Sequence, residues 1–248
     1  MINQPVQLKA ASDLFHPTAD QKYPIGALYT DRDGGKYRYC KDSGTGITKA
    51  LMAQSPVVTA TLEDELQTAY GVAVNAVKFD CLVTTASGLA DHDLIDGWML
   101  VNQGSGAGDM YLIKDNIWTT SDTVLNIEIA DTGGIRTAIA ATDNITLVKN
   151  KYRDVVVAPT TKTGQPIGVP LVTVTASYYF WAKTKGPAPL LVDGSETLVV
   201  GDPCGEPETH DTAGAVGAMG AHTATEWGIV MYAAAAADYA IVDLKLEQ

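Results

Sequence analysis

Asp91, His92, Asp93 and Asp96 place carboxylates and an imidazole in one short segment, and these are residue types that hold divalent metals. A metal centre needs its ligands converging on one point at defined geometry. No second histidine lies nearby, and neighbours on an extended chain face opposite ways. Ala90–Asp96 therefore reads as an acidic surface turn. The run Gly104-Ser-Gly-Ala-Gly-Asp109 is a candidate for phosphate. A phosphate cradle needs Gly-x-x-x-x-Gly-Lys-Ser/Thr with a helix opening behind it. Here Asp109-Met110-Tyr111 follow, which puts a carboxylate where the phosphate would sit and then a strand pattern. The run reads as a hairpin turn in which Gly104, Gly106 and Gly108 give the chain positive φ wherever the turn needs it.

Catalytic patterns are missing from the sequence. There is no Gly-x-Ser-x-Gly elbow and no His-Glu-x-x-His. His16, His92, His210 and His222 stand in loop-like stretches with no shared motif. His210, beside Glu208 and Asp211, has a side chain that titrates near neutral pH, but its Gly/Ala/Thr-rich setting reads as a solvated loop. The carboxylates mostly follow turn logic, as in Asp33-Gly, Asp96-Gly and Asp193-Gly. Cys40, Cys81 and Cys204 are far apart and odd in number, with no Cys-x-x-Cys, so neither a zinc site nor a disulfide framework is expected. They read as free thiols of a protein made in a reducing compartment. The expectation is a non-enzyme with no catalytic, cofactor-binding or metal residues and no cofactor.

The elements around these residues are predicted to be strands. Gly97–Gln103 and Met110–Asn116 flank the glycine turn, and Val124–Ile129 and Asn144–Val148 alternate with the period of half-buried strands. Upstream, Ile25–Asp31 and Lys36–Lys41 flank Asp33-Gly-Gly, a hairpin signal. Tyr37 and Tyr39 share one face of it, as a cross-strand packing pair. Thr61–Tyr70 is the best helix candidate, with Thr61 as N-cap, acids in the first turn and Gly71 as the stop. Val72–Phe79 is expected as a strand. Ile167–Thr175, Ser177–Lys185, Gly186–Gly194 and Thr197–Pro203 follow with turn signals between them, the spacing of a sandwich or barrel. Ala233–Ala237 favours helix by propensity, yet the strand patterns on either side make it a turn.

The predicted class is all-β, with antiparallel barrel or sandwich units and at most one or two short helices. Residues 1–22 are expected as an extended arm, 23–155 as a β-rich domain and 156–248 as a small C-terminal β-barrel. The 248 residues are 46% hydrophobic and only 19% charged, with 23 glycines, the make-up of an ordered strand-rich chain. Net charge is −12. A face lying on nucleic acid should be basic, so no nucleic-acid partner is expected. The cluster Lys149 to Arg153 reads as a solvated loop. No apolar run approaches the ~20 residues of a membrane span, and the N-terminal residues carry no signal-peptide pattern, so no membrane association is expected.

Several stretches resemble structural proteins of tailed-bacteriophage heads. Gly-x-Gly-Ala-Gly with Ile113 and Asn116, then Ala141-Thr-Asp-Asn-Ile-Thr-Leu-Val148, is similar to a recurring segment of such proteins. Gly26-Ala-Leu-Tyr-Thr-Asp with Gly35-Lys-Tyr-Arg-Tyr-Cys-Lys resembles the N-terminal region of capsid-associated ones. The Tyr-aromatic strand at 178–181, Gly186-Pro-Ala-Pro, Val192-Asp-Gly, Leu198-Val-Val-Gly-Asp, Ala213-Gly-Ala-Val and the closing Trp227–Leu246 resemble small β-barrel decoration proteins of these capsids. The resemblance implies a virion structural protein on the outer capsid surface, assembled in the bacterial host cytoplasm. Its implied partner is the major capsid protein, bridged across subunits by a homo-oligomer, with a trimer preferred. The N-terminal arm and edge strands are the expected contacts. The alternative is a receptor- or glycan-binding head-fibre or tail-associated protein, with Tyr37, Tyr39, Tyr178, Tyr179 and Trp181 stacking on sugars.

Overall fold

The computed structural model describes residues 11–57, 62, 66–83, 89–119, 123–207, 211–219 and 225–247. The chain forms two compact units: residues up to Pro56 together with Lys151–Gln248, and Val57–Asn150 between them. The strands in chain order are β1 (Leu28–Thr30), β2 (Lys36–Lys41), β3 (Ala53–Gln54), β4 (Leu66–Thr68), β5 (Lys78–Leu82), β6 (Trp98–Val101), β7 (Met110–Trp118), β8 (Val124–Ile129) and β9 (Asn144–Val148). They continue as β10 (Val156–Val157), β11 (Pro166–Pro170), β12 (Tyr179–Leu191), β13 (Pro203–Gly205), β14 (Gly217–Ala218), β15 (Glu226–Tyr232) and β16 (Tyr239–Lys245). Among the described residues helix is confined to a 3-10 turn at Ala11–Phe15 and the 3-10 position Leu62. The predicted all-β class is therefore what the chain adopts.

The middle unit is a closed antiparallel barrel in the order β4-β5-β8-β7-β6-β9, with β4 paired to β9. Period-2 alternation builds it. Leu125, Ile127 and Ile129 of β8 and Ile145 and Leu147 of β9 point inward, and their in-between neighbours point out. Buried aliphatic side chains of this kind each contribute about 1.5–3 kcal/mol of transfer free energy. The glycine run is a hairpin turn, since Leu100 pairs with Met110 across it and Gly108 N–H donates to Val101 O (2.9 Å). Gly104 has φ +88°, and a Cβ there would run into the Asp143 carboxylate, so the position favours glycine.

The outer unit is a ten-stranded sheet, β10-β3-β11-β12-β16-β15-β13-β14, with β2 joined to β12 and β1 to β2. The thirteen-residue β12 is its spine. Its first half pairs with β2 and its second half with β16.

Six expectations differ from the structure. The closed barrel is the middle unit, not residues 156–248. Residues 23–56 belong with the C-terminal part rather than with 57–155, because β2 pairs with β12 and β3 with β10 and β11. Within the 1–22 arm, residues 1–10 lie outside the described residues, but Leu14 is buried and Thr18 exchanges two backbone hydrogen bonds with Tyr179 (2.9 and 2.8 Å). The expected helix at 61–70 falls partly outside the described residues, and its Leu66–Thr68 is strand β4. Barrel closure between β5 and β9 outweighs local propensity there. Ser177–Lys185 and Gly186–Gly194 are not two strands. β12 runs through Gly186 at φ +87°. The strand expected at Val72–Phe79 begins only at Lys78, after a turn with Asn75 at φ 68°.

Candidate functional site

The Asp91–Asp96 segment is a turn fastened to the barrel wall. Buried Asn116 of β7 accepts a hydrogen bond from Leu94 N–H (2.7 Å) on Oδ1 and donates from Nδ2 to Ala90 O (3.0 Å). Asp91 Oδ1 accepts from Trp118 N–H (2.7 Å), and His92 Nδ1 lies 2.7 Å from Asp115 Oδ1. Asp93 Oδ2 accepts from Ala90 N–H (3.1 Å) and pairs with Lys149 (3.1 Å). Each group serves a different bond, and His92 and Asp96 hold left-handed φ of 67° and 60°. Among the described residues no group of three or more His, Cys, Asp or Glu side chains converges.

Two buried carboxylates position the loops of the outer unit. Asp42 Oδ2 accepts from Gly44 (2.7 Å), Gly46 (3.1 Å) and Ser177 (2.8 Å) N–H groups, tying the loop after β2 to the start of β12. Asp193 does the same beyond β12, accepting from Ser195 (3.2 Å), Asp211 (3.1 Å) and Thr212 (2.9 Å) N–H groups. Burial pushes the Asp193 carboxyl up, but the N–H groups and the Ser195 hydroxyl outweigh that, and the net shift is below its ordinary value.

The Asp42 clasp sets Tyr178–Trp181 against β2. Tyr37, Tyr39 and Trp181 are buried, while Tyr178 and Tyr179 are half-buried. The aromatic residues expected to stack on sugars thus pack mainly on one another. Tyr39 stacks on Tyr179 (centres 5.9 Å, 12°) and meets Tyr23 edge-on (5.3 Å, 80°). Burial and the neighbouring Asp31 carboxylate push the Tyr37 hydroxyl up to about 12. A cleft of about 340 Å³ does open beside them, lined by Asp13, His16, Thr18, Lys22, Tyr23, Tyr39 and Trp181. Sequence reasoning missed Asp13, Lys22 and Tyr23, which precede the first recognisable strand and carry no periodic signal. His210, Glu208 and His222 lie outside the described residues.

Each unit also presents apolar side chains to solvent in cross-strand rows. On the outer sheet Pro189 of β12 lies opposite Ile241 of β16, which lies opposite Tyr232 of β15. Ile241 is 44% exposed and Tyr232 57%. On the barrel Val148, Trp98 and Leu112 form one row across β9, β6 and β7, and Leu100 and Met110 are paired in the next row. Trp98 is 43% exposed and Met110 50%. The signal was present in Trp98-Met-Leu-Val101, which is apolar at every position. A strand covered on one face alternates, whereas a fully apolar one is suited to cover on both.

No family model, curated protein or solved structure matches the chain.

Proposed function

We propose that this protein decorates or cements the outer surface of a tailed-phage capsid, bridging subunits of the major capsid protein as a homo-oligomer, with a trimer preferred. The observation that carries the proposal is the exposed row Pro189–Ile241–Tyr232 on the ten-stranded sheet. Contiguous exposed apolar surface favours contact with other macromolecules. The barrel's row through Trp98 supplies a second such site. The sequence resemblance to head structural proteins and the net charge of −12, which suits a face turned away from DNA, support the same reading. The mechanism is mechanical, as apolar surface buried across a subunit boundary raises the free energy needed to part the subunits.

Cryo-electron microscopy of intact virions tests the location. Density on the outer lattice, in a copy number tied to the shell protein, is the expected result. Density confined to a tail or vertex favours an adhesion role, and absence from the particle overturns both. Added to expanded capsids lacking it, the purified protein should raise their resistance to heat.

A further inference from the structure

We propose that the cleft beside β2 and β12 is a saccharide site, taking a pyranose with its C–H face on Tyr23 and its hydroxyls on Asp13, His16 and Lys22. The inference goes beyond capsid attachment and does not depend on it, since the residues of the exposed apolar rows take no part in the cleft.

Three observations narrow the ligand. The volume, about 340 Å³, falls at the small end of the roughly 300–1,000 Å³ typical of small-molecule sites. The aromatic wall is continuous: Tyr23, Tyr39 and Trp181 have ring centres 5.1–5.3 Å apart at 56–80°. Rings so close already touch, edge to face for Tyr23 on Tyr39 and tilted for the other two pairs, so no ammonium group fits between them, and the wall is not a cation cage. The rim is mixed, since Asp13 can only accept hydrogen bonds when ionised, Lys22 can only donate and Thr18 can do both. An anion would be repelled by Asp13 and a cation by Lys22. A neutral polyol, with a donor and an acceptor on every hydroxyl, suits all of them.

The site is held ready by the fold. Tyr23 OH donates to Asp13 Oδ2 (3.0 Å), Lys22 N–H donates to Tyr39 OH (3.0 Å), and the paired backbone bonds to Tyr179 fix Thr18. A polar group already oriented costs less to engage on binding.

Saturation-transfer NMR on the full chain tests the assignment. The probes are the methyl glycosides of glucose, galactose and N-acetylglucosamine, with choline as the control. Saturable transfer to the ring protons of at least one glycoside, and none to choline, is expected. Tyr23→Ala should weaken that binding about tenfold. His16→Ala, at an exposed side chain, should weaken it while leaving the circular dichroism spectrum native. If Tyr23→Ala loses the native spectrum, His16→Ala and Lys22→Ala decide. Transfer to none of the three glycosides, transfer to choline instead, or affinity unchanged in the folded variants overturns the proposal.

Discussion

Tyr39 and Trp181 stand directly opposite each other on β2 and β12, ring centres 5.1 Å apart and planes inclined by 56°. The pair joins a strand from the first fifty residues to the sheet's spine, so it links distant parts of the chain as well as packing the core. Trp181→Ala should cost about 3–5 kcal/mol, the range for deleting a large buried aromatic side chain. Tyr39→Phe keeps the ring and loses only the hydroxyl that accepts Lys22 N–H, which should cost about 1 kcal/mol. Urea midpoints at constant slope would read both.

The exposed rows separate binding from folding. Ile241→Asp and Trp98→Asp change half-exposed strand positions, so each should cost about 1–2 kcal/mol in lost cross-strand packing and strand propensity and leave the fold intact. If the rows seat on a capsid, both variants should lose retention on expanded capsids in co-sedimentation. Wild-type retention in both would remove the apolar rows from the proposed interface.

Asp193 gives the outer unit an acid-sensitive clasp. Its folded carboxyl is held below the ordinary value by the Thr212, Ser195 and Asp211 N–H groups. A depressed carboxyl contributes stability that is fully present above the unfolded value of about 3.9 and is lost as pH falls through the lower folded one. Thermal midpoints should therefore drop below about pH 4 in the wild type. Asp193→Asn should start less stable at neutral pH and lose less on acidification.

All three thiols should be silent in the native state. Cys40, Cys81 and Cys204 are buried and free. Burial pushes the Cys204 thiol up to about 12 and the other two in the same direction. Only the thiolate reacts, so a disulfide reagent near pH 8 should titrate none of them until denaturant is added, and then all three.

Gly104→Ala should destabilise the barrel by more than the ~1 kcal/mol of an unfavourable φ alone. The added methyl meets the Asp143 carboxylate as well. Gly108→Ala, also at positive φ but with open space around it, should cost less. Comparing their thermal midpoints isolates the clash.

The fold class was legible because alternation is written residue by residue, as in Val124–Ile129, and the Asp33-Gly-Gly and Gly104–Gly108 turns announce their hairpins. The domain layout was not. Nothing local in Lys36–Lys41 says that its partner begins at Tyr179, and a long-range pairing of that kind leaves no periodic mark. Leu66–Thr68 misled for the same reason, because its helix-favouring neighbours are local while its strand state depends on β5 and β9. The cleft was half visible. Tyr39 and Trp181 stood out as aromatic residues on strands, but Asp13, Lys22 and Tyr23 are brought to them by tertiary contacts, the Thr18–Tyr179 bridge and the Lys22–Tyr39 hydrogen bond.

The barrel departs from the outer sheet after β3 and returns at β10, and those two strands are themselves paired, Gln54 to Val156 and Ala53 to Val157. Its entry and exit points are therefore nearest neighbours on a ladder that stands without it. The middle segment is a cassette: a tight loop could replace it, or a foreign domain with adjacent termini could be grafted in its place, and the host sheet would keep its register.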